Sequence, residues 1–172
     1  TQGSRGLKVL GNSTRPLGLA PLVNDEGPVT AVVEASQGRA STYALVESAK
    51  GSDWVSASGD AATVTTIAGV PGGTGARVLA VSNLSDRRAT FSVDVLAGSE
   101  SFAAAGADAV SIEPQSTVTV TLDAALRGEV AGLRITATQP VTAALWSTSA
   151  EGDLGVSPSR PAFKGSSIIP VT

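Results

Sequence analysis

The sequence contains no cysteine, no histidine and no methionine, and its 172 residues include only two Trp, one Tyr and three Phe. Each absence removes some chemistry. Without Cys there is no disulfide, no thiolate nucleophile and no thiolate-bound metal. Without His the chain lacks the usual general base near neutral pH and the commonest transition-metal ligand. Charge of one sign is missing too. Twelve Lys and Arg are scattered among fifteen Asp and Glu, for a net charge of −3. That leaves no electrostatic footprint for nucleic acid or for an anionic membrane. No apolar run approaches the roughly 18 residues of a membrane span, and no signal peptide is visible. A chain that opens on Thr1 without any Met is expected to be trimmed or processed, with a targeting segment or anchor outside these residues.

What is present is 42% apolar and only 16% charged, with 19 Gly and 9 Pro. Such a chain has enough apolar mass for a real core and is not a disordered one. Its Val, Thr and Ser, punctuated by Gly and Pro, favour strands and turns over helices. Arg outnumbers Lys nine to three, a bias that hints at a source genome rich in G and C.

The cleanest strand lies in Val110 to Leu122, VSIEPQSTVTVTL, where two strand ends meet at Pro114-Gln115. Val118, Val120 and Leu122 alternate with Thr117, Thr119 and Thr121, the pattern of a half-buried strand on an antiparallel sheet. Other predicted strands are Leu7–Leu10, Leu19–Val23, Val29–Ala35, Ser41–Glu47 with Tyr43 and Leu45 inward, Trp54–Ala57, and Ala62–Ala68 with a bulge near Thr65-Thr66. The strongest break is Gly69-Val70-Pro71-Gly72-Gly73-Thr74-Gly75, read as a linker or long loop. It has neither the Lys and Ser/Thr nor the following helix of a phosphate-binding loop.

Beyond the break, Arg77–Ser82 is apolar on both faces, as a central strand is. Ala89–Leu96 points Phe91, Val93 and Val95 inward and Ser92 and Asp94 outward. An irregular strand is expected around Phe102 and one helical turn over Asp123–Gly128. Ala131–Thr138 and Val141–Ser147 are expected as two strands separated by a turn at Gln139-Pro140. Gly152–Val156 and Ile168–Val171 are weak final strands.

Pro28-Val29-Thr30-Ala31 recurs as Pro140-Val141-Thr142-Ala143, 112 positions on, each copy preceded by a Gly-Leu pair and followed by a polar loop and a weak strand. The fold class predicted is therefore all-β: an antiparallel immunoglobulin-like β-sandwich of two related units. Residues 1–72 would form an incomplete or strand-complemented unit and 73–172 a complete one. A barrel is the alternative, and the lack of αβ alternation speaks against a parallel sheet.

Candidate catalytic groups are sparse. The carboxylates cluster locally at Asp25-Glu26, Glu47 with Asp53, and Glu151 with Asp153, all in predicted turns where acids are commonly solvated. A hydrolase needs two acids converging across a cleft. Calcium is a milder use for Asn24-Asp25-Glu26 and Glu151-Gly152-Asp153, but neither has a full loop signature. Only Lys8, Lys50 and Lys164 are available for a Ser–Lys dyad, and no SxxK motif occurs. Asn12-Ser13-Thr14 and Asn83-Leu84-Ser85 fit the glycosylation triplet but read as turns. No catalytic residue, cofactor or metal ligand is assigned.

The candidate partner contacts are aromatic: Trp146, Trp54 and Tyr43. Val141, Ala143 and Leu145 define a buried face, so alternation sends Trp146 outward. There it would meet another domain, a partner or a glycan, in that order of preference. Trp54, at the start of a short strand, is expected in the core or at its rim.

Three segments then resemble a known pattern: ARVLAVSNLSDRRATFSVDVL, VSIEPQSTVTVTLD and VAGLRITATQPVTAAL. With the Asn83/Asp86 turn, the Pro114/Ser116 turn and the Pro140-Val141 corner, they are similar to a repeat in secreted envelope proteins of actinobacteria. That family is uncharacterised and is often encoded near a large membrane glycosyltransferase. The resemblance implies an extracytoplasmic protein with a membrane segment outside these residues, and it transfers no catalytic residue. The expected function is a non-enzymatic structural or interaction module of the bacterial cell envelope. A cell-wall glycan-binding module is the alternative, and a cryptic hydrolase or accessory domain the third. An envelope protein or a glycan is the partner class, with no nucleic acid.

Overall fold

The computed structural model describes residues 6–23, 28–49, 51–70, 75–126 and 131–162. The eleven strands among these residues are β1 Tyr43–Glu47, β2 Ser52–Ser56, β3 Ala62–Val70, β4 Ala76–Asn83, β5 Ala89–Ala97, β6 Glu100–Ala103, β7 Val110–Ile112, β8 Ser116–Thr121, β9 Ala131–Thr148, β10 Leu154–Pro158 and β11 Arg160–Pro161. The only helical piece among the described residues is a 3-10 turn at Ala20–Leu22. The protein is all-β and antiparallel, with sheets that do not close into a barrel.

The long strand β9 organises everything. Its first half lies between β3 and β5, with Ile135 opposite Thr65 on one side and Val93 on the other. Its second half lies between β4 and β10, with Trp146 opposite Val78 and Val156. One strand thus belongs to two layers: β8-β4-β9-β10, and β11-β3-β9-β5 with β6 and β7 beyond β5. Strands that pass from sheet to sheet make the corners of such sandwiches. The expected turn at Gln139-Pro140 is not a turn, because the strand runs through it. Burial keeps one parity along the whole length: Ala131, Leu133, Ile135, Val141, Ala143 and Leu145 are all buried.

The core fills the space between the layers. Leu79 and Val81 from β4, Phe91, Val93 and Val95 from β5, Ile112 after the β6–β7 loop, and Leu122 after β8 are fully buried against β9. The inward positions predicted on β5 and after Pro114 are therefore the ones used. On the outer side of β5, Asp94 pairs with Arg134 across the ladder at 2.8 Å.

The N-terminal third departs from expectation. Residues 7–10 and 28–42 form no strand, and their described side chains are exposed. Tyr43–Glu47 is a strand, but Tyr43 and Leu45 point to solvent, because among the described residues β1 and β2 pair only with each other and no layer covers that face. Trp54, directly opposite Leu45, is 69% exposed rather than in the core or at its rim. The bulge in β3 is not at Thr65-Thr66, which pair regularly. The register shifts on either side, between Ala62 and Val64 and between Ile67 and Val70, where Gly69 takes a φ of 67°. The boundary expected between 72 and 73 falls between β3 and β4, and both of these strands pair with β9. Residues 71–74, 127–130 and 163–172 lie outside the described set. The break at 71–74, the end of the helical turn and the strand at Ile168–Val171 fall there; Asp123–Ala125 makes a plain turn.

One buried group is out of place. Thr65 is 1% exposed and its Oγ1 has no hydrogen-bond partner among the described residues. A buried hydroxyl without a partner costs its desolvation. Thr65→Val keeps the shape and removes the hydroxyl, so it is expected to stabilise the fold by about 1 kcal/mol. A urea midpoint that stays put or falls would show that the hydroxyl has a use.

Candidate interaction surface

The outer face of the β8-β4-β9-β10 layer is set by the same alternation that builds the core. If Leu79 and Val81 point in, then Val78, Ala80 and Ser82 point out. Their cross-strand partners follow in rows. Thr121, Val78, Trp146 and Val156 make one row; Thr119, Ala80, Ala144 and Pro158 the next; Thr117, Ser82 and Thr142 a third. None of these eleven side chains carries a charge. Trp146 stands near the middle of the first row, 40% exposed. The outward direction read for it from sequence is the direction it takes.

Two elements flank this face. The β1–β2 hairpin sits beside β10 and runs in step with it. Asp53 Oδ2 accepts the Val156 N–H at 2.8 Å, Arg160 Nη2 donates to Ser56 Oγ at 3.2 Å, and Thr142 Oγ1 donates to Ser58 Oγ at 2.7 Å. The hairpin presents Tyr43, Leu45 and Trp54 to solvent on its free face. The ladder register and these bonds link the three sequence-predicted contacts to one edge-to-edge array, with Trp146 on β9 and the other two on the hairpin beyond β10.

At the opposite border, Thr30 Oγ1 is hydrogen-bonded to Ser82 Oγ and lies 3.1 Å from Thr117 Oγ1. Pro28, Val29, Thr30 and Val32 face Leu84, Gln115, Ser116 and Thr117 across an open cleft of about 360 Å³. Among the described residues no charged side chain lines it. This contact between the N-terminal segment and β8 had no signal in the sequence beyond the repeated Pro-Val-Thr-Ala.

Among the described residues the carboxylates do not converge. Asp53 is taken up by the Val156 amide, Glu47 faces solvent across from Ser52, and Glu151 and Asp153 are exposed in the β9–β10 turn. Asn24, Asp25 and Glu26 lie outside the described residues, as do Lys50 and Lys164. Among the described residues no three acids gather as a metal site would require, and no helix is long and apolar enough to cross a membrane.

Asn83, read as a turn residue, is instead fully buried. Its Nδ2 donates to the carbonyls of Arg87 at 2.6 Å and Glu113 at 3.2 Å, while its Oδ1 accepts from Ser85 N and Oγ. Those contacts clamp two sheet-to-sheet crossings, β4 to β5 and β7 to β8, and so fix one end of the charge-free face. Gln115, at a φ of 53°, adds a second clamp from its side-chain amide to the Leu84 and Ser85 carbonyls.

The chain belongs to a family of unknown function, DUF5719, whose family model matches residues 1–172. No curated protein matches it. Among solved structures it is similar to Thermotoga maritima 1070, at 16% identity and a TM-score of 0.49, over 59% of this chain and 96% of that one. It is also similar to the Anabaena sensory rhodopsin transducer, at 15% identity and a TM-score of 0.39, over 48% of this chain and 93% of that one.

Proposed function

We propose that this protein is a non-enzymatic interaction module that docks a protein partner on the outer face of the β8-β4-β9-β10 layer. The observation that carries the reading is Trp146, a large apolar ring held exposed among eleven uncharged side chains. Exposed aromatics in an uncharged patch are common anchors of protein interfaces. The resemblance of residues 76–145 to actinobacterial envelope repeats supports placing the module outside the cytoplasm, at the cell envelope, with an immunoglobulin-like strand arrangement. A second reading, binding of a neutral cell-wall glycan, draws on the Thr119 and Thr121 hydroxyls in the rows around Trp146, since a sugar stacks on a ring and hydrogen-bonds nearby hydroxyls.

The test uses Trp146→Arg, with Trp54→Phe as the background in which Trp146 is the sole Trp. At an exposed position the substitution is expected to move stability by less than about 0.5 kcal/mol. It should abolish recovery of a defined envelope protein in pull-down. The same protein recovered equally by both forms would sink the reading. A shift in Trp146 emission on adding soluble cell-wall polysaccharide, with no protein partner dependent on Trp146, would decide for the glycan.

A further inference from the structure

Ser82 points out of the β8-β4-β9-β10 layer, yet it is only 4% exposed. Val78 and Ala80, on the same face of the same strand, are half-buried. The difference is the N-terminal segment. Thr30 Oγ1 is hydrogen-bonded to Ser82 Oγ and lies 3.1 Å from Thr117 Oγ1, and those two hydroxyls are themselves 2.9 Å apart. Thr30 therefore lies over the outer face. A strand added beyond the β8 edge would stand two strand spacings, about 10 Å, from Ser82. The other end of the segment returns to the same row. The Ala57 N–H donates to the Thr42 carbonyl at 3.2 Å, and Ser58 Oγ accepts from Thr142 Oγ1 at 2.7 Å. Thr117, Ser82 and Thr142 are the third row of the face. Residues 30–42 are thus a strap with both ends at one row.

The strap is lightly held. Among the described residues, no backbone hydrogen bond ties 28–41 to any strand. Val29, Val32 and Val33 are more than half exposed. Pro28, Val29 and Val32 stand across an open cleft from Leu84, Gln115 and Ser116. The strap also has slack. Extended, residues 30–42 reach about 40 Å, while Ser82 and Thr142, beside its two anchors, are direct neighbours across the β4–β9 ladder. The bend at Ser36–Gly38 takes up the surplus. The strap can therefore leave the row while Thr42 stays in place.

We infer that residues 28–35 are an internal competitor for the docking face, a strap that the partner must lift in order to bind. The inference rests on the docking role proposed for Trp146. Trp146 and Thr142 are four residues apart on β9, about 14 Å along the strand. A standard interface takes about 800 Å² from each partner, a disc of roughly 16 Å radius. A partner centred on Trp146 therefore meets the strap at the third row. Its apparent affinity scales with the fraction of chains whose strap is open.

The absence of Cys makes the test direct, and it uses the full chain. Thr30→Ala removes the hydroxyl at an exposed position and should leave the melting temperature in place. With Ser82→Cys as the only thiol, labelling by N-ethylmaleimide should run several-fold faster once Thr30→Ala is added. Equal rates overturn the strap. Thr30→Cys/Thr117→Cys puts two thiols where the hydroxyls lie 3.1 Å apart, and oxidation should close a disulfide within the monomer. Failure to close it there overturns the placement. In pull-down of the Trp146-dependent envelope protein, the oxidised form should recover none and the reduced form should recover it. Thr30→Ala should bind it about threefold more tightly, the worth of one neutral hydrogen bond. Equal recovery by the oxidised and reduced forms, with Trp146→Arg still abolishing it, overturns the strap and leaves the docking face standing. Recovery that ignores Trp146 overturns the docking face, and the role of the strap falls with it.

Discussion

Replacing Asn83 by Ala is expected to destabilise the fold by about 3 kcal/mol, measured by urea denaturation. The side chain is fully buried, and its amide bonds the Arg87 and Glu113 carbonyls while its oxygen receives Ser85. Ala removes both halves of that amide. The two carbonyls and the Ser85 amide then face a void in place of their partner, and each such orphan costs roughly 1–3 kcal/mol when buried. The losses do not simply add, because the turn at Ser85–Arg87 can relax toward water. Asn83→Asp should be as damaging, since it swaps a donor for a carboxylate oxygen against the same carbonyls. A loss below about 1 kcal/mol for Ala would mean that the crossings are held from elsewhere, with Gln115 the first alternative.

Gly75→Ala is expected to cost about 3 kcal/mol or more and to lower Tm by roughly 10 °C. Two effects coincide. The backbone there has a φ of 129°, a region L side chains rarely enter. A Cβ would also run into the Thr148 carbonyl oxygen, with the Thr148 carbonyl carbon at 3.1 Å and the Ser149 Cα at 3.3 Å. The obstacle is backbone, so no rotamer change relieves it. The first rung between β4 and β9, Ala76 with Thr148, must open. Gly98, at a φ of 59° with nothing near its missing Cβ, is the control: Ala there meets only the backbone strain. Equal losses at the two positions would show that the close approach at Thr148 contributes nothing.

Much of the second half could be read directly from residue order. Alternation placed the inward residues of β5, β8 and β9, and it sent Trp146 outward. It worked there because each of these strands has one face against a packed core, which is the condition under which period-two patterning forms. The same signal at 29–35 produced no strand, because alternation records which face is apolar and says nothing about whether a neighbouring strand is available. Tyr43, Leu45 and Trp54 differ from expectation for a related reason: among the described residues no layer covers the β1–β2 hairpin, which no local pattern reveals. Pro140 was read as a turn because proline breaks ladders in general. Here it sits where β9 passes from one layer to the other, at an exposed position after the last pair with β5. Asn83 looked like an ordinary turn former because burial of its amide depends on the Pro114 crossing 30 residues later.

The sharing of β9 between the layers has a consequence for synthesis. A polypeptide emerges with its N-terminal end first, so β3, β4 and β5 appear before the strand that lies between them. Until residues 131–137 are out, β3 and β5 lack their common neighbour, and until Thr148 is out β4 has its full length paired only with β8. Neither layer can settle before β9 arrives. Both close late, through pairings far apart in sequence, which are slow to form. Up to that moment the nascent chain stays pliable, able to thread a narrow passage or to be captured by a holdase.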